Sequence, residues 1–185
     1  MKRVFIGGSR RIVRLAPEVR DRLDRIIERA LPVLIGDANG ADKAVQRFLA
    51  ERKYSGVEVF SADPTPRNNV GGWPVRIVSS RSSRRDFEHY AAKDRAMAAE
   101  ASVGLMLWDG ESHGTLMNVM RLAAAGKTAV IFLQPQGSFV EIRTGDDLGS
   151  LLAGLSGAAA ARLRTDAAAE GLTAQLGQAS LRFSA

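Results

Sequence analysis

The chain has no cysteine in its 185 residues, and its only histidines are His89 and His113. Without thiols there is no disulfide framework and no thiolate zinc site, and two imidazoles are too few for a histidine-rich metal centre. Neither a metal nor a resident cofactor is expected. No apolar run approaches the ~20 residues needed to cross a bilayer. Lys2 and Arg3 precede only Val4-Phe5-Ile6 before Gly7-Gly8 ends the run, so the start of the chain does not read as a secretory leader. The expectation is a cytoplasmic protein with no membrane contact. Two nucleotide fingerprints are also missing. The first glycine turn is not Gly-x-Gly-x-x-Gly, and no Gly-x-x-x-x-Gly-Lys-Ser/Thr occurs. Ordinary dinucleotide binding is therefore not favoured, and P-loop NTPase chemistry is excluded.

The net charge is +6 and the isoelectric point about 10.3, which favours anionic partners in general. Arginine supplies most of that charge and suits planar, bidentate phosphate contacts. A GC-rich genome, which writes Arg for Lys and many alanines, accounts for part of the same bias. From Pro64 to Arg85 there are five arginines, Arg67, Arg76, Arg81, Arg84 and Arg85, and no acidic residue. Such a stretch is either a solvated basic loop or a flap over a phosphate. Only Trp73 interleaves with these arginines, and base-stacking platforms for nucleic acid usually need more aromatics.

Short apolar runs alternate with helical patterns along the chain. Arg3–Ile6, Val33–Ile35, Val57–Phe60, Val75–Val78, Val103–Trp108 and Thr128–Leu133 read as strands, with Phe139–Ile142 a small extra one. Between them, Val19, Leu23, Ile26 and Ile27 form an apolar stripe behind Pro17. A second stripe is Ala41, Ala44, Val45, Phe48 and Leu49. Further helices are expected from about Ser83 to Ala101, from about Thr115 to Gly126, and from Asp146 to Ala153. The pattern predicts an α/β fold: a doubly wound, mostly parallel sheet flanked by helices. It covers residues 1–154 as one domain. Residues 155–185 are an Ala-rich C-terminal helix or partly disordered tail.

In a doubly wound sheet the ligand lies beyond the carboxyl ends of the strands, near the switch in strand order. Three glycine-bearing loops leave strands at that edge: Gly7-Gly8-Ser9-Arg10, Gly36-Asp37-Ala38-Asn39-Gly40, and Asp109-Gly110-Glu111-Ser112-His113-Gly114-Thr115. The paired glycines Gly7 and Gly8 permit positive φ and close backbone approach. The third loop runs into a helix, whose free N–H groups and dipole favour an anion. Asp42 lies in the first turn of its helix and reads either as a helix-start carboxylate or as a ligand contact. Asp94 falls on the apolar side of its helix, so it needs a partner such as Lys93 or Arg95, or it faces a ligand.

The order of these motifs carries a resemblance. A Gly-Gly-Ser loop, Gly36-Asp-Ala-Asn-Gly-Ala-Asp42, a helix with Lys93-Asp94-Arg95-Ala-Met97, and Trp108-Asp-Gly-Glu-Ser-His-Gly-Thr115 together resemble the SLOG superfamily of Rossmann-like proteins. The likeness spans about residues 3 to 150 and is greatest for the branch of YspA and YpsA. That superfamily also holds the LOG phosphoribohydrolases and the Smf/DprA DNA-processing proteins. The resemblance implies a nucleoside phosphate or nucleotide derivative, such as a ribotide or ADP-ribose-like molecule, and a homo-oligomer. Gly114 and Thr115 match the phosphate-cradling end of the LOG motif. The Glu that works at the sugar in LOG enzymes is replaced here by Asn118, which cannot act as nucleophile or base. Arg95 matches in type the arginine on the preceding helix.

The expected ligand contacts are therefore Gly7, Gly8, Ser9, Arg10, Gly36, Asp37, Asn39, Asp42, Arg95, Gly110, Ser112, Gly114, Thr115 and Asn118. If the protein is an enzyme, it is a nucleotide-processing hydrolase of N-glycosidase type. Asp94, Asp109 and Glu111 are the candidate carboxylates. Binding without turnover, LOG-like hydrolysis, and single-stranded nucleic-acid binding of the Smf/DprA type stay open as alternatives.

Overall fold

A computed structural model describes residues 2–79 and 87–172. Arg81, Arg84 and Arg85 of the basic stretch, and the expected helix start near Ser83, lie outside the described residues, as do residues 173–185.

Seven strands form one sheet: β1 (Val4–Gly8), β2 (Val33–Gly36), β3 (Val57–Ser61), β4 (Val75–Ile77), β5 (Val103–Trp108), β6 (Thr128–Leu133) and β7 (Ser138–Ile142). Their spatial order is β4-β3-β2-β1-β5-β6-β7. All neighbours pair in parallel except β7, which runs antiparallel to β6. The fold is α/β, with a mostly parallel sheet flanked, among the described residues, by six helices. Strand order reverses between β1 and β5, so the loops after these two strands diverge and leave a crevice between them.

Helices α1 (Pro17–Glu28) and α2 (Ala41–Glu51) cover one face of the sheet. Val19, Leu23, Val45 and Leu49 pack there on Val4, Ile6, Val33, Ile35 and Leu105. Helices α3 (Phe87–Glu100) and α4 (His113–Ala124) cover the other face, where Met97, Met117 and Leu122 meet Phe5, Leu34, Met106 and Ile131. Alternate residues of each strand thus point to opposite cores, and each fully buried Leu, Ile or Phe contributes about 1.5–3 kcal/mol. The connection from β3 to parallel β4 holds no helix. Residues 62–74 bridge it as a loop laced to β2 by buried Gln46, which donates to Gly36 O at 2.8 Å and accepts from Val70 N at 3.0 Å.

Helix α5 (Gly145–Ala153) follows β7, and α6 (Gly157–Ala169) returns to α4 with Ala160, Leu163 and Ala167 buried. Alanines supply most of the α6 contact face, and so the segment carries little apolar periodicity in sequence. Gly126, with φ of +65°, closes α4 by passing its N–H and that of Lys127 to Ala123 O and Leu122 O. No helix among the described residues is long and apolar enough to cross a membrane.

Candidate functional site

The three loops meet at Ser9. Its N–H donates to Leu107 O at 2.9 Å at the end of β5, and its carbonyl accepts from Ala41 N at 3.0 Å at the start of α2. Its hydroxyl donates to Asp109 Oδ2 at 2.7 Å. Gly40 sits under the same turn with φ of +82°, and a Cβ there would stand 2.2 Å from Arg10 O. Gly7 and Gly8 have no positive φ; they are strand residues, and close approach alone demands Gly8, whose Cβ would fall 2.5 Å from Leu107 O. The positive φ that two glycines permit is thus not used at this pair.

Above these turns lies a cavity of about 650 Å³, within the size range of small-molecule sites. One wall is the β1 turn, Gly7 to Arg11. The opposite wall is the loop and helix start from Asp109 to Thr115, without Gly110. Asp42 and Ala38 border it from β2's loop and α2. Tyr90, Lys93, Asp94 and Met97 border it from α3, and Asn118 and Arg121 from α4.

The start of α4 is open. Ser112 as N-cap makes no side-chain cap bond, and its hydroxyl instead accepts from Thr115 Oγ1 at 2.9 Å. Among the described residues, no acceptor meets the N–H groups of Gly114 and Thr115, and nothing stands within 4 Å of where a Gly114 Cβ would be. Those donors and the helix dipole face the cavity, the arrangement that binds anions. Arg10 and Arg11 come from the facing turn. His113 Nε2 lies 2.8 Å from Asp166 Oδ2 of α6.

The opposite side is acidic and interlocked. Lys93 is buried and donates to Asp94 Oδ1 at 2.9 Å, and its ammonium lies 4.0 Å from Asp37 Oδ1. Burial pulls the Lys93 pKa down, but Asp94, Asp42 and Asp37 outweigh it and hold the group above its ordinary value. Asn118 bridges unlike charges: Nδ2 donates to Asp94 Oδ2 at 3.3 Å, and Oδ1 accepts from Arg121 Nη1. Burial pushes the Asp94 carboxyl up, but Lys93 and Arg121 overcome it and leave it ionised below the usual range. Arg121 is itself clamped by Glu170, which also reaches Arg95 at 3.4 Å.

Asp42 behaves differently. It is 6% exposed, and its Oδ2 accepts from Ala38 N at 3.1 Å. Burial pushes its pKa up to about 6; Lys93 opposes this and Asp94 reinforces it. Asp42 and Lys93 both crowd Gly36, where a Cβ would stand 2.4 Å from Asp42 Oδ2 and 2.6 Å from Lys93 Nζ. Only glycine leaves room for both side chains there.

The remaining expected residues sit outside the cavity wall. Asp37 is 1% exposed and held by Arg67, whose Nη2 donates to Oδ1 at 2.8 Å, and by Ser61. Burial raises the Asp37 carboxyl, but Arg67 and Lys93 hold it below the ordinary value. Asn39 is exposed and accepts from Asn68 Nδ2 at 3.0 Å. Gly36 lies beneath the side chains of Asp42 and Lys93, Gly110 turns with φ of +90°, and Arg95 pairs with Glu170.

Among the three candidate carboxylates, Asp109 is fully used as a turn staple. Its Oδ1 accepts from Glu111 N at 3.1 Å and from Ser112 N at 2.8 Å, while Ser9 takes Oδ2. Burial raises its pKa, and these donors more than reverse that. Exposed Glu111 pairs with Arg11 at the rim. Asp94 is the one of the three set among the polar groups of α3 and α4.

Sequence reasoning missed Arg11, Arg67, Tyr90, Lys93, His113 and Arg121 as cavity residues. Lys93 and Tyr90 were findable, since positions 90, 93, 94 and 97 share one helix face. Arg121 follows Asn118 by one turn. Arg67 reaches the cavity only because residues 62–74 fold back, with its guanidinium 4.7 Å from the Tyr90 ring centre and that of Arg10 at 5.9 Å. No local pattern encodes that return.

Similarity to known proteins lies in the fold. No protein-family model matches the sequence, and no curated protein matches it. Among solved structures, the chain is similar to DNA processing protein A from Helicobacter pylori, a structure described for its single-stranded DNA binding mode. The TM-score is 0.50 at 17% sequence identity, with 70% of this chain and 64% of that chain covered. The chain thus spans less than two thirds of that protein's solved length. At this identity the likeness shows a shared Rossmann-like fold.

Proposed function

We propose that the protein binds a nucleoside phosphate or a nucleotide derivative in the cavity at the β1–β5 switch point. The carrying observation is the uncapped start of α4, with Gly114 and Thr115 N–H groups open to a 650 Å³ cavity across from Arg10. Phosphate sits on those donors in this reading. The sugar lies toward Asp94, Asn118 and Asp42, and the base toward Tyr90. The ion pairs that knit the walls are formed within the chain, so the site is preorganised rather than assembled by the ligand.

Hydrolysis of the bound molecule is a second reading, favoured by Asp94. Cleavage of an N-glycosidic bond uses a carboxylate to stabilise oxocarbenium character or to activate water. Asn118 cannot supply one, whereas Asp94 is ionised, borders the cavity and is held by Lys93 and Asn118. Single-stranded nucleic acid, the ligand class of DNA processing protein A, has less support. Arg67 and Arg76 are paired with Asp37 and with Glu58 and Glu100, and Trp73 is buried with its N–H on Tyr54 O.

Thermal melts with AMP, ADP-ribose, ribose 5-phosphate and a single-stranded oligonucleotide test the reading. A ligand at a hundred times its Kd adds about 2.7 kcal/mol and raises Tm accordingly. Stabilisation by the small phosphates is expected. Stabilisation by the oligonucleotide alone, or by nothing in the panel, overturns the proposal. Free base released from AMP, and lost in Asp94→Asn, selects the hydrolytic reading over simple binding.

A further inference from the structure

We infer that Asp42 reads a sugar hydroxyl, and that the site consequently takes ribose in preference to 2′-deoxyribose. The inference rests on the nucleoside-phosphate reading of the same cavity and adds which sugar it accepts.

Three buried or half-buried aspartates, Asp42, Asp94 and Asp109, border the cavity and Asp37 lies behind its wall, and their partners differ. Asp37 is satisfied by Arg67 and Ser61, Asp109 by Ser9 and two backbone N–H groups, and Asp94 by Lys93 on one oxygen and Asn118 on the other. Asp42 has one protein hydrogen-bond donor, Ala38 N on Oδ2. Among the described residues no donor reaches its Oδ1, although the residue is 6% exposed and borders the cavity. A carboxylate oxygen that opens into the cavity without a protein donor is a ready acceptor for a ligand donor.

The chemistry of that donor follows from the surroundings. A second anion is disfavoured, because Asp42 and Asp94 flank a single ammonium, Lys93, which already donates to Asp94. An apolar group would leave the acceptor bare. A hydroxyl satisfies it without adding charge. With phosphate drawn to the α4 start, the groups nearest to it in a nucleotide are the hydroxyls of its sugar. Each Asp94 oxygen keeps a further lone pair beyond its bond to Lys93 or Asn118, so a vicinal diol supplies two donors for the Asp42 and Asp94 carboxylates, and a 2′-deoxy sugar supplies one. A site built to bond a hydroxyl discriminates strongly against the analogue lacking it.

The test is titration calorimetry on two matched pairs, ribose 5-phosphate against 2-deoxyribose 5-phosphate and AMP against dAMP. The ratio of Kd values within a pair cancels the titration of the ligand phosphate. The wild-type protein is expected to bind the ribo member about 10- to 100-fold more tightly at pH 7.5, the worth of one hydrogen bond to a charged acceptor. In Asp42→Asn the ratio should fall to about threefold or less. The wild-type ratio should also narrow at pH 5, where Asp42 takes a proton while Asp37, Asp94 and Asp109 stay ionised and Lys93 and Arg67 stay positive. This second measurement carries the test should Asp42→Asn fail to fold. Equal affinity within both wild-type pairs overturns the inference and leaves the nucleoside-phosphate reading standing. A ratio that persists in Asp42→Asn, or that ignores pH, overturns the assignment to Asp42. Failure of all four compounds to bind removes the underlying reading, and this inference with it.

Discussion

Ser9 Oγ donates to Asp109 Oδ2 at 2.7 Å and so joins two turns that lie 100 residues apart in sequence. Ser9 is 2% exposed, so this bond is shielded from competing water. It fixes the width of the crevice at the point where strand order reverses. A hydrogen bond to a charged group contributes about 1.5–3 kcal/mol. Ser9→Ala should therefore destabilise the fold by about 1–2 kcal/mol. Asp109→Ala should cost more, because it also strands the N–H groups of Glu111 and Ser112. The double variant should cost less than the two single costs added, with a coupling of about 1 kcal/mol or more. Urea unfolding midpoints, at unchanged m-value, provide the measurement. Strict additivity would show that the two turns are held apart from one another by something else.

The alternation of strands and helices was legible in the sequence because each strand is a short apolar run and each helix carries a stripe at its own period. The gathering of the glycine loops at one edge followed from that alternation. The cross-links between loops were not legible. Ser9 looks like any turn serine until β1 and β5 lie side by side. In sequence Asp37 reads as a ligand contact and Asp109 as a catalytic carboxylate, because polar residues in glycine turns often face a ligand. Their partners within the chain, Arg67 for one and Ser9 with the Glu111 and Ser112 N–H groups for the other, come from distant segments or the turn itself. The partner of Asp37 arrives from residues 62–74, a loop standing where a helix would be expected between parallel strands. Glu170 reaches Arg121 from the Ala-rich segment, whose contacts come from alanines too small to leave a periodic signal.

The four aspartates also set opposite pH trends. Asp37, Asp94 and Asp109 have folded pKa values below their ordinary range. Their stabilisation is complete above the unfolded value and is lost as pH falls through the folded one. Asp42 has the reverse sign, raised from 3.8 to about 6. Between these values the folded protein holds a proton that the unfolded chain has released, so this group's contribution to stability declines as pH rises from about 4 to 6. Asp42→Asn removes only that second trend. Its stability relative to wild type should improve by about 2–3 kcal/mol on going from pH 4 to pH 7. Parallel urea melts at four pH values read this directly. A difference that stays flat with pH would mean that Asp42 is ionised at no cost in the folded state.

Gly36 and Gly114 separate packing from binding. A Cβ at Gly36 would press within 2.4 Å of Asp42 and 2.6 Å of Lys93, while one at Gly114 meets nothing within 4 Å. Gly36→Ala should therefore displace both buried side chains and cost about 1–3 kcal/mol, as overpacking does. Gly114→Ala should be neutral or stabilising by up to about 1 kcal/mol, because alanine restricts the unfolded chain and suits a helix. Gly114 lines the cavity, however, beside the Thr115 N–H. A methyl group there keeps phosphate from close approach, so affinity for a phosphorylated ligand should drop about tenfold or more even as the melting temperature holds or rises. A variant that loses stability without losing affinity would place the phosphate elsewhere. One that gains stability and keeps its affinity would detach the α4 start from ligand binding altogether.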